Sequence, residues 1–156
     1  MSLPTSDPAA VAAFWADARP GLGLSGPVPD AWAFGGTPAQ ADELLDLVRR
    51  GVKTATSSAF WDYEAEGEPL PLVGRLDVVT DGGGLPQALL RTTDVRVVPF
   101  DEVSADHAYR EGEGDRSLAY WREVHERFFA TYASHDRGFS PQMPVVLQSF
   151  EVLVAA

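Results

Sequence analysis

Several residue types are missing from this sequence or scarce in it, and each absence excludes a kind of bond, site or binding partner. The 156 residues contain no cysteine, isoleucine or asparagine, and the 12 basic residues comprise eleven arginines and one lysine, Lys53. Without cysteine there is no disulfide bond and no thiolate ligand for a metal. What remains is an ordinary globular composition, with 45% hydrophobic and 22% charged residues.

Long apolar runs are also missing. No stretch of about 18 apolar residues is present, the length that a membrane-spanning helix needs. The first residues, MSLPTSDPAAVAAFW, lack the basic start and the long apolar run of a signal peptide. We therefore expect a cytoplasmic protein that makes no membrane contact.

Positive charge is scarce as well. The chain has 12 basic and 23 acidic residues, a formal net charge of −11. Affinity for a nucleic-acid backbone comes mostly from lysine and arginine, so this chain should hold long RNA or DNA weakly unless its arginines cluster. The composition favours a small ligand or a short piece of nucleic acid.

The length and the order of predicted elements indicate one α+β domain over residues 1–156. An N-terminal helix begins near Pro8, and a loop rich in glycine and proline follows it, so residues 1–31 precede the core. A helix from Thr37 to Gly51 leads to strands around residues 53–58, 72–80 and 87–100. A further helix is capped by Asp115 or Ser117, and a last strand covers 145–154. This order predicts a small barrel-like sheet with flanking helices.

Lys53 stands out because arginine supplies the positive charge everywhere else. A lone lysine at the start of a strand usually points into water or protects a sheet edge. Lysine, unlike arginine, can lose its proton when it is desolvated. A buried, neutral Lys53 could then take a proton from a nearby hydroxyl such as that of Thr56, three residues on. The sequence leaves both interpretations open.

The segment Gly51-x-Lys53-x-x-Thr56 resembles the GxKxxT signature of ASCH domains, which are PUA-like β-barrels. Downstream, DEVSADHAYREGEGDRSLAYWREVHERFF (101–129) resembles the segment before the last strand of the YhfF-like ASCH branch. The resemblance covers roughly residues 32–154. It implies a PUA-like fold and a function in RNA recognition.

The resemblance also implies catalysis. Some ASCH proteins are RNA binders, some are ribonucleases, and one branch removes the acetyl group from acetylated cytidine with a lysine, a threonine and a glutamate. By position these correspond to Lys53, Thr56 and Glu111. For amide hydrolysis, Lys53 would be the base and Thr56 the nucleophile, and Glu111 would protonate the leaving amine or orient Lys53. The alternative is a non-catalytic RNA- or nucleotide-binding module in which Lys53 is a cationic anchor.

The sequence departs from the family pattern at Ser58, where many ASCH domains have an arginine. Arg75 or Arg116 could supply the missing contact to substrate. Trp61 and Tyr63 could stack on a base, or they could simply close one end of the barrel. His107 lies in the segment that resembles the family and is a further candidate for substrate binding. His125 lies near the apolar stripe of its helix and is predicted to be a core residue.

The sequence predicts no cofactor. Acidic residues crowd the segment from Asp101 to Asp115, which favours a solvated loop, and a divalent metal is the alternative if the protein is a ribonuclease. The expected partner is RNA or a modified nucleoside. The sequence leaves the substrate and the oligomeric state open.

Overall fold

The computed structural model describes residues 2–156 as a mixed α+β chain. In chain order the elements are α1 (Pro8–Ala18), β1 (Asp30–Trp32), α2 (Pro38–Arg49), β2 (Ala55–Ala59), α3 (Phe60–Glu66), β3 (Leu76–Thr80), β4 (Pro86–Pro99), α4 (Ala105–Glu111), α5 (Leu118–Thr131) and β5 (Pro144–Ala155). Short 3-10 helices lie at Pro20–Leu22 and Phe100–Glu102. The five strands form one sheet in the order β1-β3-β4-β5-β2.

Local sequence explains where the helices begin. Asp7, Thr37, Ser104 and Ser117 each stand just before a helix, and each side chain accepts a hydrogen bond from a backbone N–H of the first turn. Proline follows Asp7 and Thr37 at the first helical position, where no backbone donor is needed. The predicted helix starts near Pro8, Thr37 and Ser117 are therefore confirmed.

The chain folds into two compact units. The first comprises residues up to 50, 74–91 and 151–156, and the second comprises 51–73 and 92–150. In the first unit, α1 packs Val11 and Trp15 on Val78 and Leu89 of the sheet. The prediction of one domain over 1–156 stays a prediction.

The second unit contains β2, α3, α4, α5 and most of β4 and β5. Its core consists of buried side chains from these elements, with Trp121 and Phe129 of α5 packed around Phe100. Strand β2 pairs antiparallel with β5, from Ala55 opposite Ser149 to Ala59 opposite Val145. This pairing fixes the direction of each side chain on β2, because partners in register share a face.

Candidate functional site

Lys53 lies between the end of α2 and the start of β2, with only 1% of its surface exposed. Its Nζ donates to the Ala55 carbonyl oxygen at 2.9 Å. Burial of an ammonium group is costly unless partners surround it. The interpretation of Lys53 as a solvent-facing strand residue is therefore wrong.

Two carboxylates face this ammonium group. Glu113 Oε2 lies 2.9 Å from Lys53 Nζ, and Glu111 Oε1 lies 3.4 Å from it. Glu111 is 1% exposed, whereas 17% of the Glu113 side chain is exposed. Lys53 and Glu111, which the family resemblance assigns to one site, are thus in contact, and Glu113 joins them from the solvent side.

Glu111, the last residue of α4, is held by several donors. Its Oε2 accepts hydrogen bonds from Ser57 Oγ at 2.8 Å, His107 Nε2 at 2.7 Å and Trp121 Nε1 at 2.6 Å. His107 precedes it by one helical turn, the spacing at which two side chains meet. We call Lys53, Ser57, His107, Glu111, Glu113, Trp121 and His125 the buried ion cluster.

Two glycines carry the chain from Glu111 past Lys53. Gly112 has a φ of 76°, and a Cβ there would lie 2.6 Å from the Val52 carbonyl oxygen. Gly114 has a φ of 59°, and a Cβ there would lie 2.5 Å from the Tyr120 ring. Both positions are left-handed and crowded, so the motif Glu-Gly-Glu-Gly is what lets both carboxylates reach one ammonium group.

His125 completes the charge balance of the cluster. Its Nδ1 lies 2.9 Å from the Trp121 carbonyl oxygen and its Nε2 lies 3.5 Å from Glu111 Oε1, so both ring nitrogens face acceptors. Burial alone would lower the pKa of His125, but the charges of Glu111 and Glu113 and the hydrogen bonds raise it. Two cations then face two carboxylates.

Glu111 is ionised in this setting. Burial alone would raise the pKa of its carboxyl, but the charges of Lys53 and His125 and the hydrogen bond from His107 hold that pKa well below its usual range. The cluster is thus a network of ion pairs and hydrogen bonds. Lys53 Nζ is in contact with both carboxylates of this network, which is the arrangement of an ion pair rather than of a catalytic base.

The cluster also offers donors that metals use. Ligand atoms of Glu111, Glu113 and His125 all lie within 4.8 Å of one another. However, the Lys53 ammonium is in contact with both carboxylates, and the two ring nitrogens of His125 face the Trp121 carbonyl oxygen and Glu111. A divalent cation at this place would have to displace the Lys53 ammonium from both carboxylates.

Thr56 lies on the opposite face of β2. Ser57 is in register with Leu147 of the core and faces Glu111, and side chains alternate along a strand. Thr56 is in register with Gln148, whose Nε2 donates to Thr92 Oγ1 at 2.7 Å. The structure thus brings Lys53, Glu111 and His107 together and directs Thr56 away from them.

A row of uncharged polar side chains accompanies Thr56. Ser58 shares its face, and Ser58 Oγ lies 2.8 Å from the hydroxyl of Tyr63 on α3. These side chains are all partly exposed. We call Thr56, Ser58, Tyr63 and Gln148 the polar strip.

The other predicted substrate residues lie in separate places. Trp61 of α3 packs against the core of the second unit, beside His135 and Arg137. Arg75 belongs to the first unit, where it pairs with Asp30 and Asp77. Neither of them belongs to the buried ion cluster or to the polar strip.

Arg116 is hydrogen-bonded to the backbone around it. Its guanidinium donates to the carbonyl oxygens of Tyr109 at 2.9 Å and Val52 at 3.4 Å and lies over the Tyr109 ring. Arg116 also has a φ of 66°, a left-handed conformation that is uncommon outside glycine. These contacts end α4 and help to fix the loop that carries Glu113.

Sequence reasoning underrated four members of the cluster. In the sequence Ser57 is one hydroxyl among several, helical spacing is typical of core positions for Trp121 and His125, and Glu113 is one of several acids between Asp101 and Asp115. The one available signal was the pairing of two glutamates with two glycines just before a helix. Which hydroxyl faces Glu111 depends on the register of β2, which the sequence does not specify.

Comparison with known proteins identifies the family. The family model "ASCH domain" matches residues 30–154. A crystal structure of an Enterococcus faecalis V583 protein of family DUF984 is 39% identical, with a TM-score of 0.86 over 92% of this chain and 88% of that one. The ASCH domain of Lactobacillus crispatus JV V101 is 30% identical, with a TM-score of 0.81 over 98% and 99%.

The search of curated proteins finds no significant match. Within residues 2–156, no helix combines the length and the apolar character needed to cross a membrane. The predicted α+β fold with a barrel-like sheet is confirmed by the likeness to the solved ASCH domain. This chain belongs to the ASCH domain family.

Proposed function

We propose that this ASCH domain recognises a base of single-stranded RNA, or a modified nucleoside, on the polar strip. ASCH domains are PUA-like and generally RNA-binding, which supports an RNA-related ligand. The observation that carries the proposal is the row of partly exposed, uncharged donors and acceptors around Thr56. Thr56 is also the threonine of the GxKxxT segment.

The chemistry of the strip suits a base edge. Hydroxyl groups and an amide can each donate and accept, which matches the alternating donors and acceptors of a nucleobase. The Tyr63 ring adds a surface on which a base can stack. With a net charge of −11, the chain gains little from phosphate contacts, so the base carries the recognition.

In this proposal the buried ion cluster is structural. Lys53, Glu111 and His125 join the start of β2 to α4 and α5, and they fix the strand that presents Thr56. This departs from both roles that the sequence suggested for Lys53. A side chain that is 1% exposed and faces two carboxylates is a poor anchor for a ligand.

Binding of cytidine, acetylated cytidine and a single-stranded RNA pentamer, measured by isothermal titration calorimetry, tests the proposal. Thr56→Val keeps the shape and removes the hydroxyl, so we expect affinity for the bound ligand to fall about tenfold, as for a lost hydrogen bond of about 1.4 kcal/mol. Thr93→Val is the matched control, because Thr93 is exposed on β4 and alternation turns it away from Thr92. Equal affinity in both variants would refute the role of the strip.

Hydrolysis is a second candidate, and one observation favours it. The Ser57 hydroxyl donates to Glu111 at 2.8 Å, and Lys53 lies on the other carboxylate oxygen. In an amidohydrolase reaction, Ser57 Oγ would attack the acetyl carbon while its proton passes to Glu111. The amine would leave with a proton, and water would then release acetate from the ester. The low pKa of Glu111 weakens it as a base, which is why this candidate ranks second.

Two variants of this candidate remain. In one, the catalytic residues are Lys53, Thr56 and Glu111, as the resemblance implies. In the other, the reaction is the cleavage of RNA, as in some ASCH proteins. Chromatography of acetylated cytidine or an RNA pentamer after incubation with the protein would detect either reaction. If Ser57 is the nucleophile, Ser57→Ala abolishes turnover and Thr56→Val does not; the opposite result favours Thr56. If neither substrate is turned over but binding is retained, the result supports a binding module without catalytic activity.

A further inference from the structure

A cavity of about 440 Å³ lies between α3 and the loop that follows α5. Its walls include Trp61 and Glu64 of α3 and Ser134, His135 and Arg137 of the loop. Trp61 and Tyr63 are two residues apart, which places them about 200° apart around the helix axis. The cavity is therefore on a different face of α3 from the one that carries Tyr63 of the polar strip.

Arg137 marks a stacking position in this cavity. Its guanidinium carbon lies over the Trp61 ring, 5.0 Å from the ring centroid. Stacked aromatic rings prefer centroid separations of about 4.5–7 Å, so a planar group already occupies the place of a stacked base. The Arg137 side chain is 57% exposed and its nearest carboxylate, Glu64, is 4.0 Å away, so it can swing aside and cover an inserted base.

His135 contributes a donor that has no partner within residues 2–156. Its side chain is 4% exposed, and its Nδ1 accepts a hydrogen bond from the Arg137 backbone N–H at 3.1 Å. The neutral ring therefore carries its hydrogen on Nε2, the atom without a partner, since Asp62 Oδ1 is 3.9 Å away. A buried donor without a partner is rare in proteins, and this one can bond an acceptor on a ligand once the side chains that cover it move aside, as the exposed Arg137 can.

Glu64, at the rim of the cavity, offers hydrogen-bond acceptors, whereas His135 offers a donor. It is exposed and presents carboxylate oxygens, which accept hydrogen bonds from an amino group and repel a carbonyl oxygen. Cytosine can bond both residues, because it has an exocyclic amino group that donates and, beside it, ring and carbonyl atoms that accept. Uracil has a carbonyl oxygen where cytosine has its amino group.

We propose that this cavity binds an unpaired nucleobase that carries an exocyclic amino group, stacked between Trp61 and Arg137. Glu64 accepts from the amino group and His135 Nε2 donates to an acceptor on the base. The proposal rests on the proposed function, RNA recognition, and gives the domain a second base site with its own specificity. Two adjacent bases of one strand would then be read by different parts of the protein.

Nuclear magnetic resonance of the 15N-labelled protein tests the proposal, because each of the four tryptophans gives one indole N–H signal. Trp61→Phe assigns the Trp61 signal. We expect pentacytidylate to shift this signal in a saturable way and to bind about tenfold more tightly than pentauridylate. Arg137→Gln should weaken pentacytidylate binding about tenfold, the scale of a lost stacking partner. Glu64→Gln should reduce the preference for cytosine, and the exposed Glu68→Gln is its control.

The outcomes separate this site from the polar strip. A Trp61 signal that does not move with either strand overturns the proposal, and so does equal affinity for the two strands. If pentacytidylate binds, Thr56→Val weakens it and the Trp61 signal stays still, then the proposed function stands and the second site is refuted. If neither strand binds, the second site is refuted, and the titration with acetylated cytidine decides whether the proposed function stands.

Discussion

The Lys53 ammonium group meets acceptors in several directions inside the second unit. Ala55 offers a carbonyl oxygen at 2.9 Å, and Glu113 and Glu111 offer carboxylate oxygens at 2.9 and 3.4 Å. An ammonium is compact and its three donors can rotate to such a set, whereas a guanidinium is a flat, wide fork. This geometry gives a physical reason for one lysine in a chain that otherwise uses arginine.

Lys53→Met tests this reasoning through stability. The substitution keeps most of the volume but leaves two carboxylates without their cation, so we expect the free energy of unfolding to fall by about 3–5 kcal/mol. Urea denaturation measures the change. Arg50→Met is the matched control, because Arg50 pairs with Asp46 on an exposed helix face and should matter by less than about 1 kcal/mol.

Two results would contradict this view of Lys53. If Lys53→Met were as stable as the Arg50→Met control, the ion pairs would not hold the fold. If Lys53→Met folded well but lost ligand binding, Lys53 would be the cationic anchor that the sequence also allowed.

At the scale of single residues, the sequence predicted part of the site. The uniqueness of Lys53 left a buried position open beside a solvent-facing one, and the family resemblance assigned Lys53 and Glu111 to one site. The sequence could not decide between Thr56 and Ser57, because a shift of one residue in a strand turns every side chain to the other face. His125 was predicted to be a core residue, and it is buried, but its charge depends on carboxylates that arrive from another helix.

At the scale of elements, the loop between α4 and α5 decides where both carboxylates lie. Gly112→Ala would place a Cβ 2.6 Å from the Val52 carbonyl oxygen at a φ of 76°. The left-handed conformation alone costs about 1–2 kcal/mol, and the clash with backbone adds to it. We therefore expect Gly112→Ala to lower the free energy of unfolding by more than about 2 kcal/mol.

Gly67→Ala is the control for this prediction. Gly67 ends α3 with a φ of 66°, and a Cβ at this position would meet no atom of residues 2–156 within 4 Å, so only the conformational cost applies. Thermal and urea unfolding of both variants separate the clash from the strain. Equal losses of stability would mean that the loop moves away from Val52 and that its tight fit is unimportant.

The helices and the long strands were predictable because their signals are local. Caps and apolar spacing mark α1, α2 and α5, and β-branched runs mark β3, β4 and β5. Element ends were less well predicted: β3 begins at Leu76 rather than near residue 72. The order of strands in the sheet depends on contacts far apart in the chain, and the local patterns of the sequence do not specify it.

At the scale of the whole molecule, most arginines are paired with acidic side chains. Within residues 2–156, seven of the eleven lie within 4.0 Å of a carboxylate: Arg50, Arg75, Arg91, Arg96, Arg110, Arg127 and Arg137. Most of the positive charge is thus neutralised locally. Together with a net charge of −11, this leaves little to attract a phosphate backbone.

Salt dependence tests that conclusion. If bases carry the recognition, the affinity for a single-stranded pentamer should change little between about 50 and 200 mM salt. Over this range, binding through phosphate contacts weakens strongly. Each phosphate neutralised would add a slope of about −0.7 to the plot of log affinity against log salt. Fluorescence anisotropy of a labelled pentamer gives the slope. A slope steeper than about −2 would indicate three or more phosphate contacts and refute base-dominated binding.

The buried ion cluster also makes global stability depend on pH in two opposite directions. The pKa of Glu111 is held well below 4.5, so its ion pairs stabilise the fold fully above that pH and are lost as the pH falls through the folded pKa. The pKa of His125 is raised above 6.5, so its charge stabilises the fold below that pH and is lost as the pH rises through the folded pKa. With respect to these two groups, stability is highest between pH 4.5 and 6.5.

His125→Gln separates the loss of stability at low pH, the acid limb, from the loss at high pH, the alkaline limb. Glutamine places an amide donor where His125 Nε2 faces Glu111 but cannot carry charge, so the loss of stability above pH 6.5 should shrink. The acid limb should persist, because Lys53 still faces Glu111. Urea midpoints measured across the pH range for wild type and variant give both limbs from the same samples. If the variant kept the whole alkaline limb, His125 would not carry the charge that faces Glu111, and the pairing of two cations with two carboxylates would be wrong.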